Sequence, residues 1–316
     1  MSISLNHLAF VFPGQGSQAV GMLDAWGDHA AVRETLAEAS DALGEDIAKL
    51  IAEGPKESLD LTTNTQPVML TAGVACWRAW LAETGLMPTA VAGHSLGEYT
   101  ALVAAGALTL KDALPLVRFR AQAMQEAVPV GVGGMAAILG LDADAVKAGC
   151  AQAAAESGQA VEAVNFNDPK QTVIAGSKAG VEKACEVLKA AGAKRALSLP
   201  VSAPFHSSLM KPAAERLREK LAVTVFAAPQ IAVVNNIDVA VVTDVDAIRD
   251  ALYRQAFGPV RWVETIHALK ARGLTHVIEC GPGKVLSGMV KRIDAELTSA
   301  TVYDPASLAE ARALLA

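Results

Sequence analysis

The chain has 316 residues, of which 52% are hydrophobic, and its formal net charge at pH 7 is −6. This length and composition are enough for one large globular domain, or for a core domain with an insertion. The negative charge argues against a general nucleic-acid-binding surface, which needs a basic face to neutralise phosphates. The four cysteines form no Cys-x-x-Cys pair or Cys/His cluster, so neither a metal site nor a disulfide framework is expected.

No apolar run approaches the ~20 residues that a helix needs to cross a bilayer. The longest such run, 101–110, still includes one glycine and one threonine. The first residues lack the positive and apolar regions of a secretory signal, so we expect neither a membrane segment nor export, and a cytoplasmic location.

The first predicted strand, Leu8 to Phe12, runs into a glycine-rich loop. Gly14, Gly16 and Ala19 match the Gly-x-Gly-x-x-Ala pattern of dinucleotide-binding loops. That pattern requires a second strand ending in an acidic residue, whereas alanine- and leucine-rich helical segments follow at 30–43 and 46–52. A dinucleotide site is therefore not expected, and the loop should serve another purpose.

The stretch around Ser95 has the pattern of a nucleophile elbow. A short apolar run leads into Gly93-His94-Ser95-Leu96-Gly97, and a predicted helix over 98–108 follows. In such an elbow the serine lies on a sharp strand-to-helix turn, and the flanking glycines allow neighbouring chain to pass close by. The backbone N–H of Leu96 then lies at the positive end of a helix, where it can stabilise an oxyanion. The stretch predicts acyl-transfer chemistry at Ser95.

Two helices flank this elbow along the chain. The first is predicted over Val68 to Leu81, with Pro67 in its first turn. The second begins after Thr109, which has the position of a capping residue, and it contains Pro115, where a bend or a late start is expected.

Arg118 and Arg120 lie on the second of these helices, on opposite sides of its apolar stripe. Either arginine can be an ordinary solvated side chain with its stem along the apolar surface. Periodicity alone does not decide which of them faces a site.

Residues 131–200 form a segment with its own order of elements. The predicted order is βαββαβ, with elements at 135–139, 142–157, 160–165, 171–175, 179–191 and 195–199. This is the order of a ferredoxin-like unit. We therefore predict a catalytic core formed by 1–130 and 201–316, interrupted by a small subdomain at 131–200, with the active site where the two meet.

His206 is the strongest candidate for the base that a serine nucleophile needs. It lies in the polar, proline-broken loop 202–208, far downstream of Ser95. The other histidines lie at the terminus, in helical stretches, at the start of a strand or directly beside Ser95: His7, His29, His267, His276 and His94. A plain loop histidine is the alternative interpretation of His206.

Four short motifs, spread over nearly the whole chain, are specific in combination: Phe12-Pro13-Gly14-Gln15-Gly16-Ser17-Gln18, Gly93-His94-Ser95-Leu96-Gly97-Glu98, Val164-Asn165-Phe166-Asn167 and Gly281-Pro282-Gly283. Together they resemble the signatures of the malonyl-CoA:acyl carrier protein transacylases. The resemblance implies an α/β fold: an α/β-hydrolase-like core with a short parallel sheet, plus an inserted ferredoxin-like subdomain. This agrees with the order of elements predicted above.

The resemblance also implies a role for each site residue. Ser95 matches the nucleophile and His206 matches the base. Gln255 matches the residue whose main-chain carbonyl orients that histidine. The backbone N–H groups of Gln15 and Leu96 match the oxyanion hole. Arg120 matches the arginine that binds the malonyl carboxylate, which would leave Arg118 without a role in the site.

The implied reaction is transfer of malonyl from malonyl-CoA to the phosphopantetheine thiol of acyl carrier protein, through a malonyl-serine ester, for fatty-acid synthesis. No metal or other cofactor is expected, and the enzyme is expected to be a monomer. Phe205, directly before His206, resembles the malonyl-selecting members of related polyketide acyltransferases. A serine esterase or thioesterase, and an acyltransferase of a polyketide pathway, are the alternatives.

An acidic carrier protein would need a local basic surface on this negatively charged chain. The candidates lie after the Gly-Pro-Gly turn and on the predicted subdomain: Lys284, Lys291, Arg292, Lys178 and Lys183.

Overall fold

The structure is a computed structural model, and it describes residues 3–201 and 203–315; the side chains of residues 3 and 4 are not described. Ser202, the first residue of the predicted loop 202–208, and the chain ends included in the predicted core lie outside the described residues. No helix in the described ranges is long and apolar enough to cross a membrane.

The described ranges contain nine strands and thirteen α-helices, joined by loops and short turns. The strands are β1 (Ile3–Phe12), β2 (Leu86–Gly93), β3 (Gly133–Leu139), β4 (Val161–Asp168), β5 (Gln171–Ser177), β6 (Arg195–Ser198), β7 (Ala232–Val234), β8 (His276–Cys280) and β9 (Thr298–Val302). The helices are α1 (Ala30–Leu43), α2 (Ile47–Glu53), α3 (Lys56–Leu59), α4 (Thr62–Thr84), α5 (Gly97–Ala104), α6 (Leu110–Glu126), α7 (Ala143–Ser157), α8 (Lys178–Ala190), α9 (Lys211–Val223), α10 (Val245–Gln255), α11 (Trp262–Ala271), α12 (Val285–Ile293) and α13 (Pro305–Ala313).

A five-stranded parallel sheet forms the centre of the fold. Its order is β7-β2-β1-β8-β9, and every pairing is parallel. The central strand β1 is buried on both faces, with no exposed surface from Leu8 to Phe12, as is typical of strands covered by helices on both sides. The carboxyl ends of β1, β2 and β7 lie side by side, so the loops that follow them meet at one edge of the sheet.

The second sheet is antiparallel and has the order β4-β5-β3-β6. Alternate residues of β3 face opposite sides: Ala136 and Ile138 pack in the cluster beneath α7 and α8, whereas Met135 and Ala137 join the large core cluster. The order β3-α7-β4-β5-α8-β6 confirms the predicted βαββαβ sequence of elements. The fold is thus α/β, with one parallel and one antiparallel sheet.

The helix predicted from Val68 begins six residues earlier. α4 starts at Thr62, so Pro67 lies inside the helix rather than in its first turn, and the prediction was wrong on this point. The polar segment before Pro67 is helical because its side chains find backbone partners: Thr65 Oγ1 donates to the carbonyl of Leu59 at 2.7 Å. Such bonds satisfy polar groups that would otherwise favour a loop.

Of two further boundaries, one differs from expectation and one confirms it. α5 ends at Ala104 instead of reaching residue 108, because Gly106 takes a left-handed conformation with φ of +73° and turns the chain. α6 begins at Leu110, directly after its cap Thr109, whose side chain accepts from the Asp112 N–H. The predicted cap at Thr109 is therefore confirmed, and a late start at Pro115 is wrong.

Candidate active site

The elbow at Ser95 has the predicted geometry. β2 ends at Gly93, Ser95 has φ of +53°, and α5 starts at Gly97. A Cβ on Gly93 would lie 1.8 Å from the Gly97 carbonyl carbon, and one on Gly97 would lie 2.1 Å from the Phe12 oxygen. No side chain fits at either position, so the two glycines permit the tight turn that presents Ser95.

Ser95 and His206 are joined by a hydrogen bond. The distance from Ser95 Oγ to His206 Nε2 is 2.7 Å, and His206 Nδ1 lies 2.9 Å from the main-chain oxygen of Gln255. The main-chain oxygen of Gly258, at 3.2 Å, is a second partner that the sequence did not indicate. His206 has a left-handed φ of +65°, a strained conformation for a non-glycine residue that is common at functional sites.

The surroundings of His206 keep its ring neutral. Burial, followed by the charge of Arg120, lowers the pKa of His206 to about 3. Because both partners of Nδ1 are carbonyl oxygens, we assign the proton to Nδ1, which leaves Nε2 as an acceptor for the hydroxyl of Ser95. His206 can therefore remove a proton from Ser95 at neutral pH.

Arg120 is buried in the site, with 2% of its surface exposed. Its Nη2 donates to Ser95 Oγ at 3.2 Å and to Gln255 Oε1 at 3.0 Å, while Nη1 donates to Gln66 Oε1 at 2.8 Å. All three acceptors are uncharged, and burial lowers the pKa of the guanidinium. The arrangement holds a cation to which no carboxylate of the described residues is hydrogen-bonded, which suits an anionic ligand.

Arg118, in contrast, lies outside the site. Its Nη2 donates to Glu45 Oε2 at 2.7 Å and its Nη1 to Asn64 Oδ1 at 3.3 Å. Tertiary structure thus decides between two arginines that periodicity left equivalent.

Gln15 and Leu96 both belong to the surroundings of Ser95. Gln15 follows β1 and lines the same cavity as Ser95, and Leu96 directly precedes α5. Within residues 3–201 and 203–315, neither backbone N–H donates a hydrogen bond, whereas the Gln15 side chain donates to Thr62 Oγ1 at 3.3 Å. Their assignment to an oxyanion hole stays a prediction.

The site opens into a cavity of about 710 Å³ between the two sheets. Its walls come from the loop after β1, the elbow, α6, the inner face of the antiparallel sheet and α12, and include Gln18, Met124, Met135, Val173, Phe205, Leu286 and Met289. Among the side chains that the structure describes, no group of three histidine, cysteine or acidic residues could hold a metal ion.

Comparison with known proteins identifies the family. The family model described as "Acyl transferase domain" matches residues 9–304. The malonyl CoA-acyl carrier protein transacylase of Salmonella typhimurium is 53% identical over 308 residues, covering 97% of this chain and 99% of that protein. This chain belongs to the malonyl CoA-acyl carrier protein transacylases.

Two solved structures of transacylases superpose closely. The acyl-carrier-protein S-malonyltransferase of Burkholderia pseudomallei 1710b has 71% identity and a TM-score of 0.95, covering 96% of this chain and 98% of that one. A malonyl-transacylase solved in complex with its type II PKS acyl-carrier protein has 50% identity and a TM-score of 0.94, with coverages of 96% and 98%. The fold of this chain is that of the family over nearly its whole length.

Asn236 is a residue of this transacylase site that the sequence analysis missed. Its Oδ1 accepts from the Ser95 N–H, and its Nδ2 donates to the Gly93 oxygen, both at 2.7 Å. It follows β7, whose carboxyl end adjoins that of β2. The polar pair Asn235-Asn236 directly after a buried strand was the signal, because ligand sites of α/β proteins lie at the carboxyl ends of strands.

Glu98 is the second missed residue. The sequence motif includes Glu98 but indicates no role for it, yet Glu98 is 2% exposed and its Oε2 accepts from Gln255 Nε2 and the Asn236 N–H, both at 2.9 Å. Burial raises the pKa of Glu98 to about 7. A carboxylate in the first turn of an otherwise apolar helix was the available signal.

Proposed function

We propose that this chain transfers the malonyl group of malonyl-CoA to the phosphopantetheine thiol of acyl carrier protein and so supplies fatty-acid synthesis. The observation that carries the proposal is the position of Ser95 Oγ, 2.7 Å from His206 Nε2 and 3.2 Å from Arg120 Nη2. A malonyl thioester has its carboxylate only one methylene from the reacting carbonyl. A nucleophile with a base and a buried cation both within contact fits that short spacing.

In the first half-reaction, Ser95 is the nucleophile. His206 Nε2 takes the hydroxyl proton while Ser95 Oγ attacks the thioester carbonyl of malonyl-CoA. The N–H groups of Gln15 and Leu96 stabilise the oxyanion, and Arg120 binds the malonyl carboxylate. Collapse of the tetrahedral intermediate breaks the carbon–sulfur bond, and the imidazolium protonates the leaving CoA thiolate. A malonyl-serine ester remains.

The second half-reaction reverses these steps with a different thiol. His206 removes the proton of the phosphopantetheine thiol, whose sulfur attacks the ester carbonyl. The bond to Ser95 Oγ breaks, and His206 returns the proton to the serine. Every group used comes from this one chain, and so we propose a monomer that works without a metal or other resident cofactor.

A serine hydrolase is the rival function. Hydrolases hold the histidine with a carboxylate, which stabilises the imidazolium. Here the neutral main-chain oxygens of Gln255 and Gly258 take that place, so the ring is oriented but less strongly basic. A weaker base favours the more acidic thiol over water, which supports a transferase rather than an esterase or thioesterase.

A polyketide pathway would use the same chemistry with another carrier protein. The solved relative in complex with a type II PKS acyl-carrier protein shows that close family members can serve such a carrier. Transfer rates to a fatty-acid carrier protein and to a polyketide carrier protein separate the two pathways, and we expect the fatty-acid carrier to be preferred.

We also propose a division of the fold: an α/β-hydrolase-like core formed by 1–130 and 201–316, and a ferredoxin-like subdomain at 131–200. The five-stranded parallel sheet and the separate cluster of side chains beneath α7 and α8 support it.

The carrier protein is proposed to dock beside α12. Of the five basic candidates, Lys183 pairs with Glu156 and Arg292 with Asp168. Lys178, Lys284 and Lys291 form no ion pair within the described residues. Of these, Lys284 and Lys291 flank the part of α12 that lines the cavity, and Lys284 Nζ lies 5.0 Å from the centre of the Tyr303 ring. Because no carboxylate of the described residues pairs with Lys284 or Lys291, their charges can attract an acidic carrier.

The intact mass of the protein tests the proposed function. After brief exposure to malonyl-CoA, the mass should rise by one malonyl group, and it should return to its original value when holo-acyl carrier protein is added. Absence of the adduct would contradict the serine-ester mechanism. Release of free malonate at the same rate with and without carrier protein would identify a hydrolase instead.

A further inference from the structure

Glu98 is a buried carboxylate for which the reaction has no direct use. It lies in the first turn of α5, three residues after Ser95, and it does not line the substrate cavity. Its Oε2 accepts from two donors, Gln255 Nε2 and the Asn236 N–H. A buried carboxylate is costly unless it is hydrogen-bonded and compensated, so its presence beside the site calls for a physical reason.

Both partners of Glu98 hold Ser95. Gln255 Nε2 also donates to the Ser95 oxygen at 3.1 Å, and Asn236 Oδ1 accepts from the Ser95 N–H. Gln255 in addition supplies the main-chain oxygen that orients His206. Through two neighbours, Glu98 therefore bears on the position of the serine and on that of its base.

The same carboxylate lies near Arg120, the cation proposed to bind the substrate carboxylate. Gln255 connects the two, since its Oε1 accepts from Arg120 Nη2 while its Nε2 donates to Glu98. Among the described residues, the other ionisable groups that interact electrostatically with Glu98 are Tyr99 and Asp238, and the charge of Asp238 is compensated by Arg254 at 2.6 Å. Arg120 and Glu98 are thus the two opposite, otherwise uncompensated charges of this buried network.

A substrate carboxylate changes this balance. With malonyl bound, Arg120 faces two carboxylates, and the buried network carries one net negative charge if Glu98 stays ionised. Two like charges that share one counter-ion in a buried site raise the proton affinity of the less solvated one. We propose that Glu98 positions Ser95 and Gln255, and that it takes up a proton when the malonyl carboxylate binds to Arg120. This inference rests on the function proposed above.

The hydrogen-bond geometry allows protonation without loss of position. Both donors reach the same oxygen, Oε2, and among the described residues none donates to Oε1. A proton on Oε1 therefore leaves the bonds to Gln255 and Asn236 intact, because the carbonyl oxygen of a carboxylic acid still accepts. A glutamine at this position mimics the protonated form, whereas an alanine removes both the acceptor and the charge.

The direction of the pH effect follows from linkage. Burial places the pKa of Glu98 at about 7 in the free protein, so Glu98 is mostly ionised above pH 7. If binding requires a proton, malonyl-CoA binds less well as the pH rises through that value. His206, with its pKa lowered to about 3, remains neutral in this range and adds no proton of its own.

Calorimetry measures the proton directly. Binding of malonyl-CoA to Ser95→Ala, which forms no ester, is titrated in buffers of different ionisation enthalpy. We expect uptake of about half a proton at pH 7, rising towards one at pH 8. Binding of acetyl-CoA, which shares the CoA moiety but has no carboxylate, should cause no such proton uptake; the difference between the two ligands is the excess for malonyl-CoA. In Ser95→Ala/Glu98→Gln the excess for malonyl-CoA should vanish, and its persistence would overturn the proposal.

Kinetics with active protein gives a second readout. For the wild type, kcat/KM for malonyl-CoA should fall about tenfold between pH 7 and pH 8.5, and in Glu98→Gln it should stay flat. Glu45→Gln, which removes a surface carboxylate paired with Arg118, is the matched control and should follow the wild type. Identical profiles for wild type and Glu98→Gln would overturn the proton uptake.

The positioning role has its own test. Glu98→Ala should lower kcat by ~10-fold or more even at pH 6, and Glu98→Gln should restore most of it. Equal kcat in wild type and Glu98→Ala would refute positioning. A wild type that forms no malonyl adduct would instead refute the proposed function, so the two failures are distinguishable.

Discussion

Replacing Arg120 by alanine is expected to separate the use of malonyl-CoA from the use of acetyl-CoA. Arg120 is 2% exposed, and its Nη2 lies 3.2 Å from Ser95 Oγ. In the variant, a malonyl carboxylate in this site is desolvated and unpaired. Removing one partner of a buried ion pair costs ~3–5 kcal/mol, which corresponds to roughly 10²–10³-fold or more in kcat/KM.

Acetyl-CoA has no carboxylate and escapes this loss. The variant should still lose some activity with acetyl-CoA, as it does with malonyl-CoA, because Arg120 also donates to Gln66 and Gln255. Each lost hydrogen bond is worth ~1 kcal/mol. Loss of the cation also raises the pKa of His206, which makes it a stronger base. These effects act on both substrates, so the ratio of the two kcat/KM values isolates the contribution of the carboxylate.

The assay measures kcat/KM for both acyl-CoAs with a fixed holo-carrier protein. Arg118→Ala is the internal control, since Arg118 pairs with Glu45 outside the site and its loss should change neither value. If both substrates lose activity equally in Arg120→Ala, the arginine is structural and the reasoning is refuted. Phe205, which lines the cavity, would then be the next residue to test for selectivity.

Further variants test the remaining parts of the site. Ser95→Ala should abolish the malonyl mass shift, whereas His206→Ala should leave slow acylation, because binding and oxyanion stabilisation persist; rapid acylation of Ser95→Ala would exclude it as nucleophile. Since the pKa of His206 is lowered to about 3, kcat/KM should not fall between pH 7 and pH 5, where an ordinary histidine would protonate; a fall centred near pH 6.5 would contradict this. Lys284→Glu and Lys291→Glu should weaken the carrier-protein step and reduce its salt dependence, and a step insensitive to ionic strength would rule out electrostatic docking.

Local patterns in the sequence predicted the elements and the elbow well. Gly93 and Gly97 indicated a turn too tight for side chains, and the structure confirms contacts that no Cβ could tolerate. The βαββαβ order of the antiparallel sheet was also predictable, because alternation and helical periodicity are properties of neighbouring residues. Helix boundaries near prolines were not, since the polar residues of α4 find partners on another segment.

The sequence by itself determined which chemistry is available: a serine on an elbow, a loop histidine and two arginines on one helix. Only the tertiary structure decided which of them meet. Ser95 and His206 lie 111 residues apart in the chain, and Arg120 and Gln255 lie 135 apart. These contacts depend on how distant helices and loops pack around the end of β2: Arg120 lies on α6, Gln255 ends α10 and His206 lies in the loop after β6. No local pattern records that packing.

The same reason explains the two residues that were missed. Asn236 bonds to Ser95 across 141 residues of sequence. Glu98 acts on Ser95 through their shared neighbour Gln255. In sequence, Asn236 is one polar residue after a short strand, and Glu98 is one acid in a helix. Their importance comes from burial, which removes water and makes each remaining hydrogen bond and charge decisive. Burial of these particular side chains is a property of the packed fold and not of the sequence around them.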